Sequence, residues 1–308
     1  MTRREILAVA GMTSITGMVG GGASGVANAA APAPPDGWKV FDGQTVQEMS
    51  WESLPGKLAT ADVIFLGELH DDPETHRAEA LLLEAVYGLV GKKLTLAMEM
   101  FERDQQVPLD NYLAGKITDA ELSKAVKLWR NYETDYRPMV DFAKAKQIPV
   151  VGSNAPLRLV RLVSGKGLSA FKDLPDADKP LVAQYINAPT GDRYESRFSA
   201  VMGHGHGDSP MEPAMIRRFY EAQCVRDDTM AESIVRVLES GNKVLHVNGS
   251  FHSDGGMGTA GRVLWRRPLH TALAIVKIVP YKGTPEPIPY RGEGHYLLFV
   301  PDKRPVKS

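Results

Sequence analysis

Cysteine is almost missing from this chain. Cys224 is the single one in 308 residues, so no internal disulfide can form and stability must come from the core, with the lone thiol expected to be buried there. An excess of one charge is missing too. Lysine and arginine total 36 against 37 acidic residues, which leaves no net basic field to gather phosphates and speaks against a nucleic-acid partner. Beyond the amino-terminal stretch no apolar run approaches the roughly 20 residues of a membrane helix, so no integral membrane segment is expected once a leader is removed. Three familiar enzyme signatures are also absent: the H-E-x-x-H zinc helix, the phosphate-cradling G-x-x-x-x-G-K-[ST] loop and the G-x-S-x-G elbow. Asn248-Gly249-Ser250 falls short of the last because Phe251-His252 follow.

What is present begins with a targeting pattern. Arg3-Arg4 precede a modest, glycine-rich apolar stretch that ends in Val26-Ala27-Asn28-Ala29, an A-x-A cleavage pattern. Residues 1–29 are therefore expected to be a cleaved export signal of twin-arginine type, an ordinary secretory leader being the alternative. No cysteine stands nearby to carry a lipid anchor, and the mature protein is expected in the periplasm or secreted. Residues 30–50 read as a linker and entry segment, and 51–308 as one domain.

Strand and helix patterns alternate along that domain. Val63-Ile64-Phe65-Leu66 is a short apolar run suited to a strand buried on both faces, and Asp72-Pro73 can start a helix reaching about Tyr87. Leu94 to Met98 is the next strand, and Thr118-Asp119-Ala120-Glu121 forms a capping box for a helix through Trp129. A helix from about Arg137 to Gln147 leads into a strand at Pro149 to Gly152, and later strands are expected at 243–247, 272–276 and 296–300. The implied class is α/β, with a mainly parallel sheet, flanking helices and a helical insertion or lid at about 165–215.

In such sheets ligands sit outside the carboxyl ends of the strands. The strand ends here carry Glu68, His70, Glu99, Asn154 and, after Asn248-Gly249, His252. Singly, a Glu or Asn there caps a helix, and a lone histidine is more often hydrogen-bonded than a ligand. Together, two carboxylates and two imidazoles on one partly desolvated edge must bind something or neutralise one another. The segment 223–231 places Gln223, Arg226, Asp227 and Met230 along one helix face, which we expect to turn Arg226 and Asp227 towards the pocket rim. His204 and His206, in Gly203-His204-Gly205-His206-Gly207, could reach a metal or a porphyrin, or could simply be solvated.

At these residues the sequence resembles the ChaN-like haem-binding family, whose superfamily also holds the TIKI proteases and erythromycin esterases. The resemblance runs from about Asp62 to Arg262 and rests on six stretches in order: GELHD at 67–71 with His76 following, MEMFERDQQ at 98–106, DYRPMVDFA at 135–143, VVGSNAP at 150–156, QCVRDDTMA at 223–231 and VNGSFHSDGGMG at 247–258. It implies an exported carrier of haem or another iron porphyrin, acting in iron uptake or trafficking, with iron held by a tyrosine in a ligand-linked homodimer. Tyr136 is the expected iron ligand, its pKa lowered by a neighbouring basic group such as Arg137. Cofactor contacts would also come from His204, His206, His70, His252, Asn154, Arg226 and Asp227, and Arg193 or Arg197 of one subunit would meet the propionates of the other. The superfamily implies an alternative from another class: a hydrolase, with or without a divalent metal, using Glu68, His70, Glu99 and His252. The family's better-known members carry a lipidated amino-terminal cysteine, which this sequence lacks.

Overall fold

A computed structural model describes residues 32–203, 211–269 and 271–304. The expected export signal lies outside the described residues, as do His204 and His206. Along strand β3 (Val63–Glu68), side chains alternate between the faces of a sheet. Ile64 and Leu66 pack with Leu82, Leu83 and Val86 of helix α2 (Pro73–Val90), whereas Val63 and Phe65 pack with Ile234, Val235 and Leu238 of α8 (Pro213–Glu239) and with Val263 of α9 (Gly258–Arg266). Both faces of β3 are therefore covered, which is why its sequence shows an unbroken apolar run.

The remaining elements are β1 (Lys39–Asp42), β2 (Glu48–Met49), α1 (Ser53–Ala59), β4 (Leu94–Glu102), α3 (Gln106–Leu113), α4 (Asp119–Ala125), α5 (Arg137–Lys146), β5 (Val150–Asn154), α6 (Leu157–Lys166), α7 (Arg193–Gly203), β6 (Lys243–Gly249), β7 (Leu273–Tyr281) and β8 (Tyr296–Pro301). They form one mixed sheet in the order β2-β1-β8-β7-β3-β6-β4-β5. Pairings from β8 to β5 are parallel, and β1 runs antiparallel to both β8 and β2. The expected α/β class, parallel sheet and helical region between β5 and β6 are all present. Residues 39–49, in the expected linker and entry segment, supply two edge strands. Helix α4 opens on its capping box, Thr118 Oγ1 accepting from the Glu121 amide at 3.3 Å, but ends at Ala125 rather than Trp129, where Val126 turns extended.

Topology places the site. β6 inserts between β3 and β4, so the connections leaving β3 and β6 diverge and open a crevice at their carboxyl ends. The register of β4 against β5 shifts between Met98 and Glu102, an irregularity of the kind that re-aims side chains beside a site.

Candidate functional site

Asp72 caps α2 by accepting from the amides of Glu74 and Thr75 at 3.0 and 3.2 Å, and Pro73 fits the first turn. This start puts His76 and Glu79 on the buried side of α2, three residues apart, against the end of β3. His76 Nδ1 lies 2.7 Å from Glu68 Oε2 and 3.0 Å from Glu79 Oε2. Its Nε2 faces the His70 carbonyl at 3.3 Å and Asp135 Oδ2 at 3.6 Å. The other Glu68 oxygen, Oε1, meets His70 Nδ1 and accepts from the Tyr136 hydroxyl at 2.9 Å. Burial opposes a positive His76, yet hydrogen bonds and charge from Glu68 and Glu79 outweigh it and hold the group at about 11. Burial and then the neighbouring Glu68 carboxylate push Glu79 well above the usual range.

A second cluster is built from β4, β6 and α8. Glu99 Oε2 accepts from the Gly249 amide at 2.8 Å, and Glu99 Oε1 lies 3.4 Å from His252 Nε2. His252 Nδ1 is 2.7 Å from Asp227 Oδ1. Asp227 also accepts from Thr259 Oγ1 at 2.9 Å and the Tyr194 hydroxyl at 2.7 Å, with the Arg262 guanidinium at 3.8 Å. Burial works against the His252 cation, but the flanking charges of Glu99 and Asp227 raise it to about 10. Burial likewise opposes ionisation of Glu99, which the His252 and His70 charges overcome, holding it far below the ordinary carboxylate value. His246 is the contrast: buried with no carboxylate contact, it is pushed down to about 4.

Both clusters meet under one cleft of about 390 Å³. Glu68, His70, Glu99 and His252 form its floor, with Phe198 and Phe251 among its walls. Leu69 and Val201, 40% and 62% exposed, stand at its mouth. The His70 ring lies so close to Gly249 that a Cβ there would sit 2.6 Å from Nε2, so only glycine leaves room for it. Arg226 also lines the cleft and makes no ion pair among the described residues.

The structure thus brings together Glu68, His70, Glu99, His252 and Arg226. Asp227 lies beneath the rim as the partner of His252. Asn154 is turned inward: its Nδ2 donates to the Glu99 carbonyl at 3.0 Å and its Oδ1 accepts from the Ala155 amide at 2.8 Å, so it braces the end of β4. Tyr136 needs correction. It is fully buried and absent from the cleft lining, its hydroxyl donates to Glu68, and burial followed by the Glu68 charge raises its pKa instead of lowering it. Arg137 pairs with Glu133, Asp119 and Asp141, not with the phenol. Arg197 is engaged by Glu293 and Asp254, and Arg193 lines a different hollow beside Trp265. The groups given no role from sequence are His76, Glu79, Tyr194 and Arg262; for His76 and Glu79 the available signal was a polar pair at i, i+3 on the otherwise apolar face of α2.

Residues 54–263 match a family model described as haem-binding uptake, Tiki superfamily, ChaN. Among curated proteins the chain is 25% identical over 251 residues to Protein RETICULATA-RELATED 5, chloroplastic, of Arabidopsis thaliana, covering 73% of this chain and 32% of that protein. The chain thus spans about a third of that relative's length. Among solved structures it is similar to ChaN of Campylobacter jejuni, described with cofacial haem binding, at a TM-score of 0.68 and 20% identity over 87% of this chain and 98% of that one. A weaker likeness, TM-score 0.44 at 14% identity over 83% of this chain and 81% of the other, links it to a mutant erythromycin esterase EreC in its open conformation.

Proposed function

This chain belongs to the ChaN haem-binding family of the Tiki superfamily, and we propose from that membership that its strand-end cleft receives an iron porphyrin for carriage rather than turnover. The observation that carries the proposal is the unpaired Arg226 guanidinium beside the exposed Leu69 and Val201, above a floor that presents His70. A porphyrin needs apolar contact for its faces and a cation for its carboxylates. The cleft offers both, so its residues fit the group. Bound haem would supply a ferric iron able to take a ligand from the protein. Phe198, Phe251, Leu69 and Val201 would cover a ring face, and Arg226 would hold a propionate. No tyrosine lines the cleft among the described residues, so the iron would be held by His70 or by the imidazoles of His204 and His206, which follow Val201 closely in the chain.

One cleft leaves part of the porphyrin uncovered, and burying apolar area is worth roughly 25 cal/mol per Å², so we also propose a ligand-linked homodimer. Export of the mature chain by its leader, with a role in iron uptake or trafficking, completes the proposal; no helix among the described residues is long and apolar enough to cross a membrane.

The hydrolytic alternative finds its four residues together, but the electrostatics of the metal-free site do not favour a histidine as its general base. A general base must be neutral near the working pH, whereas His252 is held at about 10 and His70 above its ordinary value, where burial is outweighed by the Glu68 hydrogen bond and the Glu99 charge.

Hemin titrated into the purified protein should give a saturable Soret change, weakened about tenfold in Arg226→Ala, equivalent to about 1.4 kcal/mol. Sedimentation with one equivalent of hemin should show a dimer. Absence of saturable binding at micromolar hemin overturns the carrier assignment, and a monomeric holo-protein overturns the dimer alone.

A further inference from the structure

Behind the cleft floor the donors do not match the acceptors. Glu68, His76 and Glu79 are buried, and one ligand-type atom from each lies within 4.8 Å of the others. Among the described residues the single Nδ1 of His76 faces two carboxylate oxygens, Glu79 Oε1 has no hydrogen-bond partner, and neither carboxylate is paired with a lysine or arginine. Buried carboxylates left short of donors are costly.

We propose that Glu68, His76 and Glu79 form a divalent-cation site, independent of the porphyrin assignment and sharing only Glu68 with the cleft floor. A first-row ion with bonds of about 2.0–2.2 Å sets neighbouring ligand atoms about 2.8–3.6 Å apart. The His76 Nδ1 contact to Glu79, 3.0 Å, already lies in that range, and the one to Glu68, 2.7 Å, needs only slight widening. Once the ion displaces the protons of His76 and Glu79 to solvent, two carboxylates and a neutral imidazole balance a double positive charge, and this donor set suits manganese, ferrous iron or zinc more than calcium. The surroundings are those of a supported ligand set. His76 Nε2 is aimed at the His70 carbonyl, which favours the tautomer with a free Nδ1 lone pair, and the Tyr136 hydroxyl donates to the outer oxygen of Glu68. Access runs past His70, whose side chain is 41% exposed and in contact with Glu68.

The test uses the full mature chain carrying His204→Ala and His206→Ala, so that the glycine-flanked imidazoles cannot bind the probe. After chelator treatment, calorimetric titration with Mn²⁺ and with Zn²⁺ should show one equivalent of at least one ion at micromolar affinity or tighter. Glu79→Gln, nearly equal in shape, should weaken that affinity at least tenfold while circular dichroism is unchanged. No binding below millimolar ion, or equal affinity in Glu79→Gln, overturns the proposal. Should Glu79→Gln fail to fold, pulsed electron paramagnetic resonance of the Mn²⁺-loaded parent decides: coupling to one imidazole nitrogen is expected, and none or more than one overturns the site. Hemin titration of the same preparations reads the cleft separately, so failure of either site is told from failure of the other.

Discussion

The two carboxylate–histidine clusters under the cleft use the same residue types and reach opposite states. Around His252 every charge is met: Asp227 gathers Tyr194, Thr259 and His252 with Arg262 beyond, and Glu99 takes the Gly249 amide. Around His76 two carboxylates share one nitrogen, and one oxygen of Glu79 is left without a donor among the described residues. The difference lies in what the surrounding helices bring. α9 contributes the Thr259 hydroxyl and the Arg262 guanidinium and α7 the Tyr194 hydroxyl, whereas α2 contributes a second acid. A completed network holds its charges in place and a donor-poor one is open to a cation or a proton.

The comparison is broken most severely at Asp227. Asp227→Ala leaves His252 and Arg262 without their shared anion in a fully buried place, and breaking a buried pair from one side costs about 3–5 kcal/mol. Urea unfolding should show a loss of this size or no soluble protein. A loss below about 1 kcal/mol would mean that the cluster is looser than its distances imply.

Next in size is the alkaline limb of stability. The folded pKa of His252, about 10, lies above its ordinary 6.5. A raised group stabilises fully below its unfolded value, and that contribution disappears as pH climbs through the folded one. Stability should therefore fall between about pH 6.5 and 10, and His252→Gln should flatten the fall. An unchanged slope in that variant would show that His252 is neutral at pH 7.

Much of the scaffold could be read directly, because strands buried on both faces spell themselves as β-branched and aromatic runs and helix starts carry caps such as Asp72 and Thr118. β1 and β2 escaped since four- and two-residue edge strands lack a run long enough to detect. At the site, Glu68, His70, Glu99 and His252 were expected on one edge from the strand-end rule, and the structure places all four on one cleft floor. Tyr136 was misjudged because adjacency in sequence is not adjacency in space: it closes a π turn with its ring inward, and Arg137 opens α5 facing solvent acids. Glu79 sat on a helix face among leucines, where its spacing from His76 was the one available clue.

Smaller effects compare the two tyrosines that serve the clusters. Tyr194→Phe removes one of several donors to Asp227 and should cost about 1 kcal/mol, whereas Tyr136→Phe removes a scarce donor from Glu68 and should cost about 2 kcal/mol. Thermal unfolding of both variants tests the order. Tyr136→Phe should also leave the Soret spectrum of the hemin complex unchanged, because the phenol faces Glu68 and not the cleft; a shifted Soret band would restore it as an iron contact.

The smallest effect is expected where the donor shortage is greatest. In chelator-treated protein Glu79, pushed well above the usual carboxylate range by burial and by Glu68, behaves as a neutral acid. Glutamine copies that shape and adds N–H donors beside Glu68 Oε2, which has no hydrogen-bond partner among the described residues. Glu79→Gln should then change stability by less than about 1 kcal/mol in either direction, against the several lost at Asp227, although both carboxylates are fully buried. Paired urea curves measure the contrast. Equal and large losses at both positions would mean that Glu79 is ionised without a metal and that the two clusters are electrostatically alike; a gain at Glu79 would show that a missing donor, not a missing charge, limits the cluster built on α2.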